Sequence, residues 1–82
     1  MTAAFIVYSR DGCAHCTKVQ SLLQLAELKH VIYKLDSDFT REEFTEEFGE
    51  GATFPQVVVD ARDRLHLGGA SNTMKYIEKY HA

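Results

Sequence analysis

Apolar residues recur along this chain with two alternating periods, and the alternation predicts the order of its elements. Phe5-Ile6-Val7-Tyr8 is a short run rich in aromatic and β-branched residues, stopped by Ser9-Arg10-Asp11-Gly12, which reads as a buried strand followed by a turn. From Cys16 onward the period changes. Val19, Leu22, Leu23 and Ala26 recur at helical spacing, which predicts an amphipathic helix from Ala14 to about Leu28. Val31-Ile32-Tyr33-Lys34-Leu35 is the next strand, ended by Asp36-Ser37-Asp38, and completes a βαβ unit. Thr40 and Glu43 stand at capping-box spacing, Phe44 and Phe48 share a helix face, and Gly49 with Gly51 supplies a stop, so a second, shorter helix is predicted. Gln56 to Asp60, with its consecutive valines, and Leu65-His66-Leu67 predict an antiparallel hairpin joined by the polar loop Ala61-Arg62-Asp63-Arg64. After Gly68-Gly69, Ser71 or Asn72 is expected to cap a last helix. Its Met74 and Ile77 face the body of the domain, with Tyr76 and Tyr80 on the flank. The order is βαβαββα, without internal repeat, low-complexity tract or linker.

Length and composition narrow the possibilities. The 82 residues make one domain, spanning 1–82, since typical domains hold roughly 100–150 residues. With 45% hydrophobic residues, 26% charged residues and a single proline, global disorder is excluded. A net charge of −3 argues against a nucleic-acid partner, because such affinity rests on clustered Lys and Arg. The apolar start Ala3 to Tyr8 is about one strand long, lacks a basic lead-in, and falls far short of the roughly 20 residues that span a bilayer. Neither an export signal nor a membrane partner is therefore expected, and the expected compartment is the cytoplasm. There a structural disulfide does not persist, and a close cysteine pair reads as redox or metal chemistry.

The chemistry concentrates at Cys13-Ala14-His15-Cys16. This spacing sets two sulfurs about one helical turn apart, near enough to close a disulfide if Cys13 lies at the helix start. Cys13 is then exposed at the tip, while Cys16 falls on the stripe of Val19 and Leu23 that faces the core. Unpaired N–H groups and the positive end of the helix dipole stabilise a thiolate at Cys13, and such sites lower a thiol pKa from about 8.5 into the range of roughly 3.5–7.5. Cys13 is the expected nucleophile and Cys16 the resolving thiol. His15, when protonated, and Arg10 add positive charge nearby; the histidine can equally be a solvated surface group, whereas the place of Arg10 beside the nucleophile favours a ligand role. Half of a zinc site is the competing reading of such a pair. Zinc wants four ligands, no second pair exists, and His15, His30, His66 and His81 are scattered, so no metal is expected. The acidic run Glu42, Glu43, Glu46 and Glu47 reads as the wet face of the second helix.

Several signatures occur together in one order: Val7 to Gly12, the cysteine motif with Thr17-Lys18, Thr53-Phe54-Pro55, and Gly68-Gly69 before a polar helix start. In these the chain resembles a small glutaredoxin over nearly its whole length. The resemblance implies an α/β, thioredoxin-like fold, with a four-stranded mixed sheet flanked by three helices. It implies a cis bond before Pro55, leaving the backbone N–H and C=O of Phe54 to pair with the cysteinyl part of glutathione, with Thr53 bordering that contact. By the same likeness Arg10 meets the glycyl carboxylate, the backbone at Ser71 and Asn72, with Gly69, holds the γ-glutamyl carboxylate, and His15 lines the groove.

The implied activity is glutathione-dependent reduction of protein disulfides and glutathione mixed disulfides. Glutathione would be a co-substrate, no cofactor permanently bound, and ribonucleotide reductase one client; a monomer is expected. Departures from the family pattern qualify the likeness. Ala14 and His15 replace the usual proline and tyrosine, and the histidine would make the pair more oxidising than the roughly −200 to −230 mV of glutaredoxins. Asn72 replaces an aspartate that pairs with the γ-glutamyl amine, and Ala52 replaces a frequent arginine, for which Arg41 is a substitute. Two other functions stay open: a thioredoxin-like carrier reduced by a flavoprotein reductase, and a [2Fe–2S] carrier that holds its cluster between two protomers with glutathione.

Overall fold

The computed structural model describes residues 4–60 and 64–80. The elements are β1 (Ala4–Ser9), α1 (Ala14–Leu25), β2 (His30–Lys34), α2 (Arg41–Phe48), β3 (Gln56–Asp60), β4 (Leu65–Gly68) and α3 (Ala70–Tyr80). Their order is the βαβαββα expected from the periodicity. The turn Ala61-Arg62-Asp63 of the expected hairpin and His81 lie outside the described residues.

A four-stranded sheet in the order β2-β1-β3-β4 organises the chain. β1 pairs parallel with β2, Val7 opposite Ile32, and antiparallel with β3, Val7 opposite Val57. β3 pairs antiparallel with β4. The sheet is therefore mixed, and it is the thioredoxin-like arrangement that the sequence implied. β1 alternates as half-sheet chemistry requires: Phe5, Val7 and Ser9 are buried, while Ile6 and Tyr8 turn to the opposite face and are half-buried. On the first face Phe5, Val7, Val57 and Val59 meet Val19 and Leu23 of α1 and Ile77 of α3 in one core. On the second, Tyr8 meets Phe39 and Phe48 at ring separations of 5.2 and 5.0 Å. β3 is buried on both faces, which is why its consecutive valines do not alternate with polar residues.

Two boundaries differ from those the sequence predicts. α1 stops at Leu25 rather than near Leu28, because Glu27 adopts a left-handed φ of 56° and closes the helix. The Glu27 N–H donates to Gln24 C=O at 3.1 Å and the Leu28 N–H to Leu23 C=O at 3.0 Å, the paired bonds of a Schellman stop. Leu28 then packs on the core. α3 begins at Ala70, so neither Ser71 nor Asn72 caps it. Gly69 precedes the helix, and its C=O accepts from the Thr73 N–H at 3.1 Å and the Thr73 hydroxyl at 2.9 Å.

α2 carries the capping box anticipated from Thr40 and Glu43. The Glu43 N–H donates to Thr40 Oγ1 at 3.1 Å, and the Thr40 N–H to Glu43 Oε1 at 2.9 Å. The remaining glutamates are exposed, and Glu47 pairs with Arg64 ahead of β4. Such a short helix owes its position to this start and to Phe44, which is buried. Thr40→Ala is expected to lower unfolding free energy by about 1 kcal/mol. Urea denaturation should show the midpoint falling with the slope unchanged.

Candidate active site

The cysteines owe their geometry to a turn followed directly by a helix. Gly12 takes a φ of 72°, a conformation that side chains with a Cβ rarely adopt, and this lets the chain reverse from β1 into α1. Cys13 is the N-cap of α1, with an extended backbone. Its Sγ accepts from the Cys16 N–H at 3.2 Å, and its C=O accepts from the Thr17 N–H at 3.2 Å. Cys13 and Cys16 are joined as a disulfide, with their Cα atoms 5.3 Å apart. Cys13 is half-buried at the surface end, whereas Cys16 is buried beside Val19 and Leu23. No acidic residue stands in the first turn of α1, so no carboxylate there opposes a negative sulfur.

Beside the cysteines runs an open groove of about 310 Å³. One wall is α1, through His15 and Lys18; the floor is Thr53, Phe54 and Pro55; the far wall is Gly69 with Ser71 and Asn72. The Phe54–Pro55 peptide is cis. The Phe54 ring stacks on Phe44 at 4.2 Å, which ties the loop to α2. Because α3 begins at Ala70, the N–H groups of Ser71 and Asn72 fall in its first turn, where backbone donors lack intrahelical acceptors.

Of the residues singled out in the sequence as glutathione contacts, the fold brings all but one to this groove. The exception is Arg10. It lines a second depression of about 390 Å³, together with Cys13, Cys16 and Lys34. Its guanidinium lies 5.9 Å from the centre of the Phe54 ring, at the outer limit of a cation–π contact. Asp11 and Lys34 pair across this depression at 3.3 Å, both largely exposed, so the pair adds little stability. Arg41 is exposed and lines neither cavity.

Lys18, which belongs to the cysteine signature but not to the expected glutathione contacts, also lines the groove. Its signal was available: three residues after His15, it lies one turn along on the same helix face. Among the described residues no group of three or more His, Cys, Asp or Glu side chains is arranged to hold a metal ion. No helix among them is long and apolar enough to cross a membrane.

A dithiol at the head of a helix that follows an interior strand of this mixed sheet defines a thiol–disulfide oxidoreductase. The glutaredoxin family model matches residues 5–63, and the chain belongs to the glutaredoxin family. Among solved structures, glutaredoxin 1 from Francisella tularensis, complexed with cacodylate, is 20% identical with a TM-score of 0.76 over 95% of each chain. Reduced Escherichia coli glutaredoxin is 18% identical with a TM-score of 0.75, over 94% of this chain and 95% of that one. The likeness to these two is one of fold. Glutaredoxin from Brucella melitensis is 25% identical with a TM-score of 0.70, over 94% of this chain and 80% of that one. No curated relative matches the chain.

The far wall depends on Gly68, whose φ is 101° and where an added Cβ would lie 2.9 Å from Asn72 Nδ2. Gly68→Ala should destabilise the fold by roughly 1 kcal/mol or more and displace the Asn72 side chain. Thermal unfolding measures the first effect, and the Asn72 side-chain amide resonances report the second.

Proposed function

We propose that this protein uses glutathione as its co-substrate and reduces both protein disulfides and glutathione mixed disulfides. The observation that carries the reading is the groove itself, which runs from His15 in the first turn of α1 to the first turn of α3. Its dimensions and chemistry suit a short, doubly anionic peptide thiol. The floor offers free backbone at Phe54, and the far end offers Ser71 and Asn72 N–H groups for a carboxylate. Lys18 adds a cation on the α1 wall.

In the proposed reaction the Cys13 thiolate attacks the glutathionyl sulfur of a mixed disulfide. The Cys13–glutathione disulfide forms as the old S–S bond breaks, and the client leaves as its thiolate. A second glutathione thiolate then attacks that glutathionyl sulfur, releasing glutathione disulfide and restoring the Cys13 thiolate. With a protein disulfide as substrate, Cys13 instead bonds to the client, and Cys16 attacks Cys13 to release it. That step leaves the Cys13–Cys16 disulfide, which two glutathiones reduce. Burial of Cys16 restricts it to this internal attack.

A coupled assay on a glutathionylated peptide tests the assignment. Cys13→Ser is expected to abolish turnover. Cys16→Ser should keep deglutathionylation and lose most reduction of protein disulfides. Equal tolerance of both substitutions would contradict the division of labour between nucleophile and resolving thiol.

A further inference from the structure

The Thr53–Phe54 peptide on the groove floor is held by side chains that lie outside the groove. Gln56 opens β3 opposite Tyr8 and is only 8% exposed. Its Nε2 donates to the Thr53 C=O at 2.8 Å. Its Oε1 lies 2.6 Å from His66 Nε2, so the imidazole carries a proton on that nitrogen and donates it. His66 sits on β4 opposite Val58, with its ring centre 4.9 Å from that of Phe48 on α2. A buried amide has little water to turn to, so two partners fix which way it faces. One end of Gln56 is thereby anchored on β4 and the other on the loop.

Peptide planarity converts this anchor into an aim. The Thr53 C=O and the Phe54 N–H belong to one trans peptide unit, in which they point in opposite directions. Holding the carbonyl toward Gln56 turns the N–H the other way. That N–H has no hydrogen-bond partner among the described residues, and Thr53 and Phe54 both line the groove.

We propose that Gln56 and His66 are positioning residues for glutathionyl recognition: together they set the direction of the Phe54 N–H that receives the cysteinyl carbonyl. The proposal rests on the glutathione reading of the groove. Neither side chain touches the ligand. Their effect reaches it only through the orientation of one peptide plane, so it falls on binding of the glutathionyl group rather than on sulfur chemistry.

Steady-state kinetics on a glutathionylated peptide, with wild type, Gln56→Leu, His66→Phe and His66→Gln, separates this from a structural role. A parallel assay uses bis(2-hydroxyethyl) disulfide with dithiothreitol as reductant, which offers no peptide group to the loop. Gln56→Leu should raise KM for the peptide roughly three- to tenfold, the cost of one misdirected hydrogen bond, with kcat and the dithiothreitol-driven rate unchanged. His66→Phe keeps the ring against Phe48 but loses the donor, and should raise KM less. His66→Gln, which can still donate, should approach wild type, and the Phe54 amide resonance should shift in Gln56→Leu. Unchanged KM in both Gln56→Leu and His66→Phe, or equal loss in both assays, would overturn the proposal. A wild type that the glutathionylated peptide fails to saturate would overturn the glutathione reading, and the proposed role with it.

Discussion

The head of α1 leaves backbone N–H groups without intrahelical acceptors, and the protein places a sulfur there instead of the usual hydroxyl or carboxamide. Cys13 is the N-cap, and the Cys16 N–H already points at its Sγ from 3.2 Å. A serine or aspartate at such a position would satisfy the helix and do nothing more. A cysteine satisfies it best as an anion, so the interaction that starts the helix also favours the thiolate that the proposed nucleophilic role requires. Reactivity and local stability are therefore coupled at one atom.

Other features serve that atom by fixing what surrounds it. β1 lies inside the sheet, bonded on both sides, so the turn that delivers Cys13 departs from a strand that cannot shift. Val19 and Leu23, on the core, hold the helix and keep Cys16 out of solvent one turn from its partner. The cis Phe54–Pro55 loop approaches from β3, and its Phe54 ring is clasped by Phe44 from α2. Gly69 hands the chain from β4 to α3, whose first-turn residues Ser71 and Asn72 line the same groove. Two helix starts thus border one groove, α1 through His15 and α3 through Ser71 and Asn72, and α1 carries the sulfur at its head.

Much of this was legible in the residues. Strand and helix periods differ plainly enough that the order βαβαββα, the capping box at Thr40 and the N-terminal placement of Cys13 could all be read directly. The misses have physical causes. Helix stops are sought at glycine, whereas α1 ends on Glu27 in a left-handed conformation, which no local residue preference announces. Ser71 and Asn72 look like caps, but Gly69 comes first and its carbonyl is already engaged by Thr73. The contact between Gln56 and His66 joins different strands and is visible only once the sheet register is known.

Ionisation of Cys13 is measured most directly by following its alkylation with iodoacetamide against pH in the reduced Cys16→Ser protein. Cys13 is expected to become reactive well below the ordinary range of a free thiol, about 8.5, and unfolding in urea should return it to that range. A Cys13 that ionises alongside free cysteine in the folded protein would contradict the coupling of helix start and nucleophile.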